Sequence, residues 1–197
     1  MKRPKTHDPV SVLLRLTRAL GEDRPLEDSL HRVTEAAMVL VHADHASVRL
    51  LDATHSALLC GARSGAGLRQ RPLEFRRGEG IIGWVVEHRE PVSSADVNAD
   101  KRFVAHDQQG FAIRSLIAEP LWSSGNVIGV LSVSSPKRGA FKKDDRLLIR
   151  LLANCSVPPV DTARLRRLAI VDDLTHTFNV RYLGPKLREE MDRARRA

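Results

Sequence analysis

Apolar positions recur in steps of three and four at both ends of the chain and in steps of two through its middle. Val10, Leu13, Leu14, Thr17 and Leu20 share one face of a helix that Pro9 can open and Gly21 ends, because a proline in the first turn gives up no hydrogen bond. A second helix follows Pro25, with Leu26, Leu30, Val33, Ala37, Leu40 and Val41 on one face. The period then changes. Ala46 to Leu51 and Ala57 to Ala62 read as two strands joined by the turn Asp52-Ala53-Thr54-His55, and Ser64 to Gln70, rich in Gly and Ala, as a loop. Leu73 to Phe75 reads as a short strand, Gly80 to His88 as a short helix, and Pro91 to Ser93 as another short strand. Asp96 to Gln109 is a long polar excursion of the kind that often carries function. Ser115 to Trp122 and Val127 to Ser134 are strong strands around a Ser123-Ser124-Gly125-Asn126 turn, and a helix runs from Lys142 to Cys155.

Successive hairpins imply an antiparallel sheet with helices gathered against one face, an α+β architecture. Pro158-Pro159 predicts a break, since each ring removes a helical N–H and clashes with the preceding turn. Ser156 would cap a new helix holding Val160, Ala163, Leu165, Leu168 and Ile170.

Composition narrows the class. The 197 residues are 42% hydrophobic, enough for a sizeable core without a staple, but only 4% aromatic, so aliphatic side chains must fill it. The net charge of +8 is spread over the N-terminal tail, Arg63 to Arg77 and the C-terminal helices, with no aromatic interleaving, which argues against nucleic acid as a partner. No stretch approaches the roughly 18 apolar residues of a membrane span, and there is no secretory signal. Cys60 and Cys155, outside any C-x-x-C pair, fit two packed thiols in a reducing, cytoplasmic setting.

Catalytic signatures are scarce. There is no phosphate loop, H-E-x-x-H or G-x-S-x-G. Gly78, Gly80 and Gly83 match G-x-G-x-x-G, but Pro91 ends the following helix too soon for a dinucleotide fold, and the glycines read better as a tight turn and a close helix–sheet approach. The eight histidines form no ligand spacing, so no metal and no cofactor is expected. Asp96, Asp100, Asp107 and Arg114 lie in or beside the excursion, where they can bind a small polar ligand or cap turns. Trp84 and Trp122 can each wall a pocket or fill the core.

Five segments, in order, resemble bacterial GAF domains over roughly residues 20 to 155: Gly78 to Val92, Asp96 to Phe103, Ile113 to Leu121, Val127 to Val133 and Phe141 to Asp145. The resemblance implies a six-stranded antiparallel sheet with helices on its faces and a pocket for a small ligand between the sheet and the central helix and loops. Trp84, Asp96, Phe103, Arg114, Ser115 and Ile117 are the residues it suggests for that pocket. The cysteine sets of bilin-binding and methionine-sulfoxide-reducing members are missing, and Lys137, Phe141 and Asp145 only partly echo the cyclic-nucleotide motif.

A second stretch, Asp172-Asp173-Leu174-Thr175-His176-Thr177-Phe178-Asn179-Val180-Arg181, is similar to the start of GGDEF (diguanylate-cyclase) domains, with His176, Thr177 and Val180 departing from the pattern. The metal-binding carboxylates of that family come later than residue 197, so no catalysis is expected of this chain. The expected organisation is a tail and amphipathic helix (1–21), a GAF sensor (22–155), a linker helix (156–171) and an incomplete GGDEF start (172–197). The expected function is sensing, as a homodimer through the terminal helices, at the input of a cyclase-type protein. The alternative is a stand-alone regulator that docks a protein partner and carries a degenerate GGDEF remnant.

Overall fold

A computed structural model of the chain describes residues 8–22, 24–52, 54–106 and 109–170. The GGDEF-like stretch 172–197 lies outside them. Helices α1 (Pro9–Leu20) and α2 (Leu26–Val41) lead into strands β1 (His45–Leu51), β2 (Ala57–Gly65) and β3 (Phe75–Arg76). Helix α3 (Gly80–His88), β4 (Val92–Ser94), a 3-10 turn (Val97–Ala99), β5 (Ser115–Ser123), β6 (Asn126–Ser135) and α4 (Lys143–Ile170) follow. The six strands form one antiparallel sheet in the order β3-β2-β1-β6-β5-β4.

Strand alternation divides the interior between the two faces of the sheet. Ala46, Val48 and Leu50 of β1, Ile117 and Leu121 of β5, and Leu131 and Val133 of β6 join one core with α1, α2 and α4. Leu116 and Ala118, Val130 and Leu58 point the other way and pack with Ile81, Ile82, Val85 and Val86 of α3. Helices therefore cover both faces, three on one and α3 on the other. No helix among the described residues is long and apolar enough to cross a membrane.

Asp8 caps α1, its carboxylate accepting from the backbone N–H groups of Val10 and Ser11. The buried stripe of α1 is Val12, Leu16 and Leu20; of the predicted face Leu20 is buried and Leu13 packs against the core, while Val10 and Leu14 are left 61% and 64% exposed. This short helix is apolar on two sides, and spacing alone does not say which side meets the core. Trp122 is likewise exposed at the end of β5 and is not a core residue.

The break predicted at Pro158-Pro159 is absent: α4 is one helix through both prolines. Val157 and Val160, flanking the pair, are buried against the domain, while Pro158 faces solvent. Packing on either side holds the backbone helical although the N–H groups that would reach the carbonyls of Asn154 and Cys155 are missing. Ser156 is not a cap; it lies inside the helix and its hydroxyl donates to the Leu152 carbonyl at 2.7 Å.

Strand β2 runs three residues beyond its predicted end, since its pairing with β1 continues to Gly65, and it contains a bulge. Arg49 of β1 pairs with Cys60 and Val48 with Ala62, so Gly61 is the extra residue. A Cβ at Gly61 would lie 2.6 Å from Leu30 Cδ1, so glycine lets α2 sit directly over the bulge. The extra residue reverses the alternation. Leu58 and Cys60 face the α3 side, and beyond the bulge Arg63 faces that side too, while Ser64 turns to α2 and bonds the Thr34 hydroxyl at 2.7 Å.

Candidate functional site

A cavity of about 70 Å³ lies on the α3 side of the sheet. Its floor is built from every second residue of β1, namely His45, Ser47 and Arg49, with Ser132 and Ser134 of β6 and Arg63 of β2 beside them. Its walls are the start of α3 (Gly80, Ile81 and Ile82), the β2–β3 connection (Arg71 and Leu73) and the excursion before β5 (Phe103, Gln109 and Phe111).

The glycine triplet sets this wall. Gly80 has φ of +62°, a conformation that disfavours a side chain, and a Cβ at Gly83 would come within 2.3 Å of the Arg76 carbonyl oxygen. The Gly78 N–H donates to the Gly83 carbonyl at 3.0 Å. The triplet thus clamps the first turn of α3 onto β3, as the tight-turn reading expects. No side chain caps that turn, and Gly80, Ile81 and Ile82 lie against the cavity.

Arg49 dominates the floor. Its residue exposure is only 7%, its Nη1 donates to Ser47 Oγ at 2.7 Å, and its guanidinium lies 4.8 Å from the centre of the Phe75 ring. Its buried Nε has no hydrogen-bond partner. Burial pushes the guanidinium down from the ordinary arginine range; Cys60 opposes this and Arg63 adds to it. Ser47 Oγ also meets Ser132 Oγ at 2.9 Å, which links β1 to β6. Arg63 is held by two carbonyls, Nη1 donating to Gly67 at 3.2 Å and Nη2 to Gln70 at 2.8 Å, and so staples the adjoining loop.

His45 donates through Nδ1 to the Ala66 carbonyl at 2.7 Å, which fixes its tautomer, and its ring lies 4.5 Å from that of Phe111. Burial lowers its pKa to about 4, so the imidazole is neutral at pH 7. Among the described residues no carboxylate lines the cavity.

Of the six residues suggested for the pocket, the cavity contains Phe103 alone. Trp84 is half-buried beside it, stacked 4.2 Å from His88 with Arg102 4.5 Å from its ring centre. Asp96 caps the 3-10 turn and takes a two-point ion pair from Arg114, Nη2 at 2.8 Å and Nε at 3.1 Å. Ser115 is buried, donating to the Lys137 carbonyl at 2.8 Å. Ile117 belongs to the core on the opposite face. Asp96 and Arg114 therefore fix the stem of the excursion, and Asp107 lies outside the described residues. Among the described residues there is no cluster of metal-ligating side chains.

The GAF-domain family model matches residues 23–154. The chain is 25% identical over 161 residues to a dual 3',5'-cyclic-AMP and -GMP phosphodiesterase 11A of Takifugu rubripes, covering 75% of this chain and 18% of the relative. It is 28% identical over 132 residues to the Nif-specific regulatory protein of Azotobacter vinelandii, covering 62% of this chain and 24% of that protein. The matches thus span about a fifth to a quarter of these curated relatives. Among solved structures, the GAF domain of a phosphoenolpyruvate-protein phosphotransferase from Coxiella burnetii superposes with a TM-score of 0.75 at 21% identity, over 84% of this chain and 99% of that one. A free methionine-R-sulfoxide reductase from Neisseria meningitidis, solved with its substrate, shares the fold with a TM-score of 0.70 at 21% identity, over 84% and 96% of the two chains. The fold thus serves an enzyme as well as sensors, but GAF domains are generally regulatory, and this chain belongs to the GAF-domain family.

Proposed function

We propose that the chain is a non-catalytic sensor that binds a small molecule in the cavity beneath α3 and reports it through α4. The observation that carries this reading is the cavity itself, which sits on strands whose alternate residues pack the helices of the opposite face. Leu116 lines the cavity, and its neighbour Ile117 is wholly buried in the core shared with α4. On that same β5, Glu119 is buried and Arg150 of α4 reaches it at 3.4 Å, while the Ser123 hydroxyl bonds Asp161 further along α4. A ligand that moves β1, β5 or β6 changes the seat of α4, and bias between two seats is all a sensor requires. The unbroken course of α4 to Ile170 supports coupling towards the GGDEF-like stretch, and with it a place at the input of a diguanylate-cyclase-type protein.

The same reading takes the chain as a cytoplasmic homodimer. Leu151, Pro158 and Leu165 recur at seven-residue intervals on the exposed side of α4, with Leu147 one turn before them, and Val10 and Leu14 are exposed on the neighbouring α1. The division into a sensor at 22–155 and a linker helix at 156–171 belongs to this proposal. The alternative, a stand-alone docking regulator, is favoured by the departures at His176, Thr177 and Val180 from the GGDEF pattern.

Thermal unfolding in pools of small metabolites tests the proposal. A true ligand raises the midpoint of the wild-type chain and not that of Ser134→Leu, which fills the cavity floor. Pools that shift neither protein, or both equally, contradict it.

A further inference from the structure

We propose that the ligand of this cavity is a small organic monocarboxylate, with Arg49 as its counter-ion; the inference rests on the reading of the cavity as a ligand site. A guanidinium removed from water needs a partner for its charge and for its N–H groups. Arg49 is 7% exposed and faces the cavity, its Nη1 is occupied by a neutral hydroxyl, and its Nε is buried with nothing to receive it. Among the described residues no carboxylate lines the cavity to neutralise it, and the other charged groups there, Arg63 and Arg71, are also cations. His45 is held neutral, so it neither balances nor adds to that positive charge. The site is therefore positive and under-bonded as it stands, which an anion would correct.

Two further features narrow the anion. The uncapped first turn of α3 borders the cavity, placing backbone N–H groups and the positive end of the helix near Arg49. Ser132 and Ser134 offer hydroxyls from the floor. Leu73, Phe75, Ile82 and Phe103 provide apolar walls, which suit a carbon body carrying one charge better than a bare dianion such as phosphate. The volume, about 70 Å³, is about half that of the roughly 150 Å³ engineered cavity that admits benzene, so the ligand has fewer heavy atoms than a six-membered ring. Acetate, propionate and glycolate have the required charge and size.

The test is calorimetric titration of the full chain with these three anions at constant ionic strength, with chloride as background. Inorganic phosphate and the neutral isostere acetamide serve as comparisons. The expected result is saturable binding of at least one carboxylate, at least tenfold weaker in Arg49→Met, with no binding of acetamide. Equal carboxylate affinity in wild type and Arg49→Met overturns the proposal, as does binding of phosphate in preference to every carboxylate. If Arg49→Met does not fold, the Arg49 Nε–H proton resonance of the wild type gives the answer: a bound carboxylate must shift it, and binding that leaves it unmoved overturns the proposal. Acetamide seated in the cavity while carboxylates are refused overturns the charge assignment and leaves the cavity reading intact. Refusal of every probe overturns both.

Discussion

At the scale of single residues, the site is an outcome of strand parity. Along β1 every second residue from His45 to Arg49 is polar, His45, Ser47 and Arg49, and that alternation is visible in the sequence. It reads equally well as a solvent-facing edge, and only the cover of α3 and the excursion turns it inward. Arg63 was harder to place, because strict alternation from Leu58 and Cys60 would send Ala62 to the cavity side; the bulge at Gly61 reverses this. A lone glycine in a strand was the available signal. His45 yields a pH prediction. Its folded pKa, about 4, lies below the ordinary histidine value of 6.5, so the unfolded chain binds more protons between those values and stability falls as pH drops through that window. The loss amounts to up to about 3 kcal/mol. Burial raises the pKa of Glu119, which acts in the opposite sense above its ordinary range. Denaturant titrations from pH 7 to 4 check this: His45→Gln should flatten the profile in that window, and an unchanged slope would contradict the assignment.

At the scale of elements, α2, β5 and β6 were legible, α2 because its apolar residues fall on one helical face and the two strands because they are short apolar runs joined by a turn. It misled on α1 and α4. Two competing stripes on α1 could not be ranked without knowing what packs there, and tertiary contacts at Val157 and Val160 outweigh the local cost of two prolines. Because α4 runs through the pair, Pro158→Ala restores a donor on its exposed side and raises stability, by up to about 3 kcal/mol; circular dichroism and thermal unfolding should both register the gain, and a helix that ends before Pro158 would show none. The β1–β6 contact is intolerant of bulk, since a Cβ at Gly129 would meet the Arg49 carbonyl oxygen at 2.2 Å. Gly129→Ala should cost about 3 kcal/mol and also disturb the cavity floor, and a neutral effect on the unfolding midpoint would contradict that geometry. For the proposed dimer, Leu147→Ser with Leu151→Ser should lower the sedimentation mass at a given concentration without unfolding the domain, because both side chains are about half exposed in the single chain. A wild-type chain that sediments as a monomer at high concentration would remove the dimer from the account.

At the scale of the whole molecule, the sheet is a partition between a cavity with a polar floor and a helical layer that ends in α4. The family and its architecture were legible from five ordered segments, yet only Phe103 of the residues suggested by that resemblance reaches the cavity. The resemblance located the excursion, whereas Asp96 and Arg114 proved to pair with each other, and two of the three cations facing the cavity, Arg49 and Arg63, come from the sheet. The central claim is that occupancy of the cavity is felt by α4 on the far side of the sheet. Hydrogen–deuterium exchange of the full chain, with and without a saturating small carboxylate, tests it most directly. The account predicts altered protection both at the start of α3 and along residues 143–160 of α4; a change confined to the cavity walls, with α4 indifferent to the ligand, would contradict it.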